Sequence, residues 1–226
     1  MEKWDKPEFQ EGKSNNYIKQ LIAGGENQQL DFKFEISDSR KIARTLSAFA
    51  NTVGGTLLVG VKDNGRIAGI RSDEEYYMLE AAAQLYSKPE VSFSVKEWHM
   101  EGKTILEAKI AKSDSPPHYA LSEDGRWLAY VRVNDENMLA NNIMIRVWKR
   151  RIRRTGTLIR YSDKEKILFD YLKDHETITL SMFQRLAGLN MYKATTILVN
   201  LIMLDLILIT FKDKKIVYTL GNREED

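Results

Sequence analysis

The double glycine within residues 47–69, SAFANTVGGTLLVGVKDNGRIAG, constrains the fold of this chain more than any other sequence feature. Gly54 and Gly55 follow a helical pattern and precede an apolar run at 56–61. They predict a backbone that leaves a helix with φ > 0 and enters a buried strand. The Asp-Asn-Gly signal at 63–65 indicates a hairpin turn into a second strand, because type I′ turns need residues that tolerate φ > 0. We expect bare amides at this junction and a loop that approaches a phosphate closely.

The residues before the glycines predict one strand and one helix. Alternation over 28–35 places Leu30 and Phe32 on one face of a strand, and Asp31 and Lys33 on the other. The helix predicted at 40–51 exposes three cations, Arg40, Lys41 and Arg44. This face is either a phosphate-contacting surface or solubilising charge, and the glycine loop that follows directly favours the first.

Three blocks of the sequence, in order, resemble the Schlafen-type AlbA-like domain family of bacteria and animals. They are ENQQLDFK at 26–33, AFANTVGG at 48–55 and GVKDNG at 60–65, and the resemblance runs from about residue 15 to about residue 140. The family usually carries glutamate where this chain has Asp31, and the arginine of its Tyr-x-Arg block matches Arg132. The resemblance implies an α+β fold, in which helices flank a mixed sheet, and association with nucleic acid.

In animal Schlafen proteins, the positions matching Glu26, Asp31 and Asp63 supply carboxylates to a divalent-metal-dependent RNA endonuclease site. The resemblance therefore implies a Mg²⁺ or Mn²⁺ site, where the metal activates water and Lys33 stabilises charge on the phosphate. Two observations on the residues oppose it. Aspartate at position 31 withdraws the carboxylate by one methylene, about 1.5 Å, and Asp63 is a common residue type at the start of a turn. The animal enzymes also use two copies of the domain, so a single copy would need a dimer.

Relatives of this domain have also been described as divergent ATPases. Neither Gly24-Gly25 nor Gly54-Gly55 is followed by the lysine and hydroxyl residue of a P-loop, so ATP hydrolysis of that type is not expected. An anion site lined by the glycines is the alternative, and either a nucleotide or a nucleic-acid phosphate would suit it.

A basic run follows the resembling region. No acidic residue occurs between Glu136 and Asp163, and six cations lie close together, namely Arg146, Lys149, Arg150, Arg151, Arg153 and Arg154. This cluster is either a backbone-phosphate contact or a solvated hinge between domains.

Three helical patterns and two strand patterns then follow within about 60 residues, which is typical of a winged helix-turn-helix. In that interpretation the third helix, at 190–204, enters the DNA major groove. Its outward residues are Asn190, Tyr192, Lys193, Thr196 and Asn200. The same apolar helix could equally serve dimerisation.

Composition excludes several other classes. The chain has no cysteine and three scattered histidines, so disulfides, thiolate metal sites and a zinc centre are not expected. No apolar run is long enough to span a bilayer, residues 1–10 are too polar for a signal peptide, and we expect a cytoplasmic protein without membrane association.

The sequence therefore predicts four segments. They are an AlbA-like domain at 1–150, a basic linker at 151–161, a winged helix at 162–221 and a tail at 222–226. The expected function is nucleic-acid binding by a homodimer, with DNA favoured over RNA, in a bacterial transcriptional regulator. Arg132 and the other cations would contact phosphates, with Gly54 and Gly55 on the same surface. A metal-dependent ribonuclease and a dimerising scaffold are the alternatives.

Overall fold

The computed structural model describes residues 14–153 and 161–221. The chain divides into two compact units after Leu139. The sequence placed the end of the first domain at residue 150, whereas the division into compact units falls before Ala140. Residues 140–153 belong to the second unit.

The first unit contains three helices and eight strands among the described residues. The helices are α1 (Ser14–Gly24), α2 (Ser39–Asn51) and α3 (Glu74–Gln84). The strands are β1 (Leu30–Lys33), β2 (Gly55–Val59), β3 (Ser87–Lys88), β4 (Phe93–Met100), β5 (Lys103–Ile110), β6 (Tyr119–Leu121), β7 (Trp127–Val133) and β8 (Glu136–Leu139). The first sheet has the order β1-β2-β5-β4, with β1 and β2 parallel and the other pairs antiparallel. The second sheet is antiparallel, in the order β3-β6-β7-β8.

Helix α2 is the central element of this unit. It begins at the N-cap Asp38, whose side chain accepts from the Arg40 amide, and its residues from 45 to 51 are all buried. Leu46 and Phe49 join side chains of both sheets in one core, and each contributes about 1.5–3 kcal/mol by burial. Helix α1 covers the opposite face of the first sheet, where Ile18 packs with Phe32 and Ile105. The predicted α+β fold with a mixed sheet and flanking helices is confirmed.

The turn at 63–65 forms, since the Gly65 amide donates to the Lys62 carbonyl at 2.8 Å. The second strand that was expected after it is reduced to one isolated bridge between Val61 and Ile67. The Ala68 and Gly69 amides both donate to the Gly60 carbonyl, and the Ile70 amide then donates to the Thr104 carbonyl of β5.

The second unit contains α4 (Asn142–Arg153), α5 (Asp163–Asp174), α6 (Leu180–Ala187) and α7 (Met191–Met203), then the antiparallel strands β9 (Ile207–Lys212) and β10 (Lys215–Leu220). Local signals fix these helices. Ser162 forms a capping box with Glu165, and Gly188 ends α6 in the left-handed conformation, at φ 60°.

Helix α4 is part of the core of the second unit. Ile143 and Val147 are buried against Leu198 and Tyr218. Residues 151–153 are thus the last turn of a packed helix rather than the start of a linker, and residues 154–160 lie outside the described residues. That the elements after residue 162 act as a winged helix stays a prediction.

No single helix in the described ranges is long and apolar enough to cross a membrane. Helices α6 and α7 reach the required length and apolar composition only when they are counted together, and the two are bent by 112° relative to each other.

Candidate nucleic-acid interface

Arg132 is a buried cross-link and not a surface cation. It is 2% exposed, and its Nη2 donates to Asp31 Oδ1 at 3.0 Å and to the Leu30 carbonyl at 3.2 Å. Further bonds run from Nε to the Asn27 carbonyl at 3.3 Å and from Nη1 to Asn137 Oδ1 at 3.1 Å. A guanidinium held in this way fastens β1 to β7. It does not reach a phosphate on the surface, so the assignment of Arg132 as a phosphate contact is wrong.

Lys33 lies beside Asp31, as the strand alternation predicted. Its Nζ is 2.7 Å from Asp31 Oδ2, yet it is aligned for a hydrogen bond to the Phe32 carbonyl, at 2.8 Å. Among the described residues, Asp31 Oδ2 is buried and accepts no hydrogen bond. Lys33 Nζ is close enough to Oδ2 for an ion pair, but it is not oriented to donate a hydrogen bond to that oxygen. Asp31 is therefore compensated by two cations.

Glu26 completes this cluster. Its Oε1 accepts from the Phe32 amide at 2.8 Å. Burial raises the pKa of Glu26 above its ordinary value, and the neighbouring Asp31 carboxylate raises it further, against the opposing effects of the Phe32 amide and Lys33. Glu26 therefore holds its proton more tightly than a solvent-exposed glutamate does.

The carboxylates do not fit the predicted metal site. Asp63 is exposed in its turn, and no group of three carboxylate or histidine side chains with metal-binding geometry occurs in residues 14–153 and 161–221. Asp31 already pairs with Arg132 and with Lys33. The carboxyl groups of Glu26 and Asp31 therefore lie beside two side-chain cations. Glu26, Asp31, Lys33 and Asp63 are not assembled as a catalytic set.

The glycine junction is built by backbone packing. Gly54 has φ +78°, and a Cβ there would lie 2.7 Å from the Ile110 carbonyl, while one on Gly55 would lie 2.4 Å from the Phe49 ring. The Gly54 amide donates to the Phe49 carbonyl and the Thr56 amide to the Gln29 carbonyl. These two amides are therefore not bare, contrary to the expectation for this loop. Both glycines are required by close contact with their neighbours.

Asn51, in the block AFANTVGG, has a structural task that the sequence did not reveal. Its Nδ2 donates to the carbonyls of His118 and Tyr130, at 2.8 and 2.9 Å, and its Oδ1 accepts from the His118 amide at 2.7 Å. Thr52 adds a bond from the Arg132 amide. The end of α2 is thus fixed to the second sheet.

Three predicted phosphate contacts do come together. Arg40, Lys41 and Arg44 are exposed and line one small cleft on α2 with residues of the second sheet. Arg44 is four positions from Arg40 and three from Lys41, so it is a neighbour of both on the helix surface. Within the described part of the chain, none of the three forms an ion pair.

Aromatic rings hold two of these cations in place. The Arg40 guanidinium lies 5.5 Å from the ring centre of Tyr86, and that of Arg44 lies 5.2 Å from the ring centre of Tyr130. Ser122 adds a hydroxyl to the cleft and Glu123 adds an acidic side chain to its lining. Tyr86, Tyr130 and Ser122 were not predicted, because they reach α2 only through the tertiary fold.

The glycines do not share this surface. Arg40 lies in the first turn of α2 and Gly54 follows its last turn; the helix rises about 17 Å between Arg40 and Asn51. The sequence predicted one phosphate-facing surface that contains both the α2 cations and the glycines. In the structure, the α2 cations and the glycine junction lie in two separate places.

The basic helix α4 is largely engaged within the second unit. Arg146 Nη2 donates to Thr196 Oγ1 at 3.3 Å, Arg150 Nη1 donates to Asn200 Oδ1 at 2.6 Å, and Arg151 pairs with Asp205 at 3.2 Å. Lys149 and Arg153 lie on the exposed side of α4, and Arg154 lies outside the described residues.

The predicted recognition face of α7 is covered in its middle by α4. Thr196 and Asn200 are half-buried and bonded to the α4 arginines. Asn190 caps α7 by accepting from the Lys193 amide at 2.9 Å. Only the first turn is open, where Tyr192 and Lys193 are exposed. The sequence missed this because α4 was assigned to the first domain.

Comparisons with known proteins bear on the first unit. A family model described as Schlafen, AlbA_2 matches residues 26–141, about half of the chain. No curated protein matches the chain. The DIP2311 protein from Corynebacterium diphtheriae is similar at 20% identity and a TM-score of 0.46, over 61% of this chain and 32% of its own, so this chain spans about a third of that protein's length. The N-terminal domain of a RecG-related protein from Nitrosomonas europaea is similar at 22% identity and a TM-score of 0.39, over 49% of this chain and 81% of its own.

Proposed function

The chain belongs to the Schlafen, AlbA_2 family, and we propose that it binds nucleic acid through the sugar-phosphate backbone, with the basic face of α2 as the contact surface. The observation that carries this proposal is the cleft of Arg40, Lys41 and Arg44. Three exposed cations without ion pairs in the described ranges can each neutralise a phosphate and release a counterion.

The geometry favours phosphate contact over base readout. The cations line a shallow cleft, and the packing of Arg40 and Arg44 on tyrosine rings restricts their side chains before binding. Restricting a rotamer-rich side chain in advance lowers the entropy lost on association. Backbone contact of this kind fixes position and carries no sequence information directly.

A narrower proposal is that the ligand is DNA and the protein a transcriptional regulator. It is supported by the three helices and the hairpin at 162–221, whose element order suits a winged helix. In this version Tyr192 and Lys193, at the exposed start of α7, contact DNA, because α4 covers Thr196 and Asn200. The ribonuclease alternative lacks support, since Asp63 does not join Glu26 and Asp31. The scaffold alternative rests on the apolar composition of α7 alone.

Fluorescence anisotropy tests the proposal with three labelled ligands of equal length: duplex DNA, single-stranded DNA and single-stranded RNA. The variant R40Q/K41Q/R44Q removes three positive charges from α2. The matched control K19Q/K62Q/R66Q removes three exposed charges elsewhere in the first unit.

We expect wild-type protein to bind at low salt, the α2 variant to bind weakly and the control to bind like wild type. Equal losses in both variants would show that net charge alone governs binding and would overturn the assignment. Absence of wild-type binding to all three ligands would overturn the proposal. Preference for duplex DNA would support the narrower version, and preference for RNA would reject it.

A further inference from the structure

A row of side chains crosses the first sheet on its α1 side; Leu30 at one end is buried with Ile18 of that helix, whereas Thr56, Lys109 and Ser94 are partly or fully exposed. The strand registers place Leu30 beside Thr56, Thr56 beside Lys109, and Lys109 beside Ser94. Paired residues of neighbouring strands share a face of the sheet. Helix α1 packs on the rows beyond, where Phe32 and Leu58 lie. The row from Leu30 to Ser94 is the floor of a groove of about 530 Å³.

The glycine junction forms the end of this groove. Gly54 and Gly55 line it, together with Lys112 just past the end of β5. A Cβ on Gly54 would lie 2.8 Å from the Lys112 amide, so the start of β2 and the end of β5 are in direct backbone contact. Lys112 follows Lys109 by three positions, and both residues line the groove.

The groove carries positive charge. No aspartate or glutamate is among its described lining residues, whereas Lys109 and Lys112 both are. Lys109 Nζ lies 3.3 Å from Glu107 Oε1, and Glu107 is buried in the row beneath α1, where it accepts from Tyr17 and Trp98. Lys112 is exposed and forms no ion pair with any residue in the described ranges. Lys112 is therefore the stronger anion-binding cation of the two.

We propose that this groove binds a phosphate monoester, carried either by a free nucleotide or by the end of a nucleic-acid chain. The two ammonium groups of Lys109 and Lys112 pair with the phosphate oxygens, and the hydroxyl of Thr56, beside Lys109 on the neighbouring strand, donates a hydrogen bond to them. Apolar walls from Leu21 and Val53 flank this floor and suit the face of a base. The volume lies within the range of small-molecule pockets, about 300–1,000 Å³.

This site is independent of the proposed nucleic-acid surface. The α2 cations lie in the first half of α2, whereas the groove begins past its end at Val53; along the helix axis Asn51, the last helical residue, is about 10 Å from Arg44 and about 17 Å from Arg40. The variant R40Q/K41Q/R44Q should therefore keep its affinity for a phosphate monoester, and a groove variant should keep its affinity for a long unphosphorylated duplex. The two proposals can fail separately.

Isothermal titration with AMP and with adenosine tests the site on the full chain. We expect AMP to bind and adenosine to bind at least tenfold more weakly, because the phosphate supplies charge-assisted hydrogen bonds. K112M should weaken AMP binding about tenfold or more, and T56V should weaken it less. K19M, an exposed lysine of α1 outside the groove, should bind AMP like wild type. Equal binding of AMP and adenosine, or an unchanged affinity in K112M, would overturn the proposal.

The source of the phosphate is tested with ten-nucleotide oligothymidylate, either 5′-phosphorylated or 5′-hydroxylated. Tighter binding of the phosphorylated strand than of AMP, lost in K112M, assigns the groove to nucleic-acid ends. Binding of AMP without discrimination between the two strands assigns it to free nucleotides. If neither AMP nor the phosphorylated strand binds, the proposal is rejected. Far-ultraviolet circular dichroism melting of each variant confirms that it is folded.

Discussion

Replacing Arg132 by methionine should destabilise the first unit by about 3–5 kcal/mol, since this is the usual cost of removing one partner of a buried ion pair. Arg132 is 2% exposed, and besides Asp31 its guanidinium bonds to Asn137 Oδ1 and to the carbonyls of Leu30 and Asn27, of which the two carbonyls keep backbone amide donors in the variant. Lys33 remains 2.7 Å from Asp31, which keeps part of the charge compensated. The loss is large beside a domain stability of about 5–15 kcal/mol.

Urea unfolding of the full chain, followed by tryptophan fluorescence, measures this loss. R126M serves as the control, because Arg126 pairs with Asp124 at the surface with its side chain 70% exposed. The control should unfold at nearly the wild-type urea concentration. The double variant D31N/R132M should recover part of the loss, since it also removes the buried Asp31 charge, which Lys33 alone compensates in R132M.

The same variant separates a structural arginine from a phosphate contact. At temperatures where R132M remains folded, it should bind nucleic acid with wild-type affinity. A variant of unchanged stability and lower nucleic-acid affinity would refute the reasoning. It would mean that the guanidinium is available to ligands.

Three further predictions concern single residues. Because burial raises the pKa of Glu26 in the folded chain, its ionisation costs stability as the pH rises above the ordinary value of 4.5. E26Q should therefore be more stable than wild type at neutral pH, and the gain should vanish on acidification; a gain independent of pH would contradict the pKa assignment. V147D should unfold the second unit, because Val147 is 3% exposed in its core, and circular dichroism would detect the loss; a wild-type melt would place α4 outside that unit. D63A should change neither melting temperature nor nucleic-acid affinity in Mn²⁺, and Mn²⁺-dependent RNA cleavage lost in D63A would restore the ribonuclease.

Local signals allowed the first unit to be outlined from the sequence. The double glycine correctly marked the exit from α2 into β2, and strand alternation correctly placed Asp31 and Lys33 on one face. Both follow from the chain's local geometry, which depends only on neighbouring residues.

The partners of those residues were not predictable in the same way. Arg132 lies 101 positions from Asp31, and the pattern around it gave only an arginine at the end of a strand. Arg150 lies 50 positions from Asn200, and its helix was assigned to the other domain. A cation's place in the sequence does not tell whether it meets solvent, a carboxylate or another helix. That distinction requires the tertiary fold.

The central claim is most directly tested by the salt dependence of duplex DNA binding, compared between wild type and R40Q/K41Q/R44Q. Each neutralised phosphate contributes about 0.9 to the slope of log affinity against log salt, so three contacts contribute about 2.7. Between 50 and 200 mM salt these contacts alone account for about a 40-fold fall in affinity. The account predicts a slope shallower by about 2.7 in the variant and an unchanged slope in K19Q/K62Q/R66Q. Equal slopes for wild type and the α2 variant would contradict it.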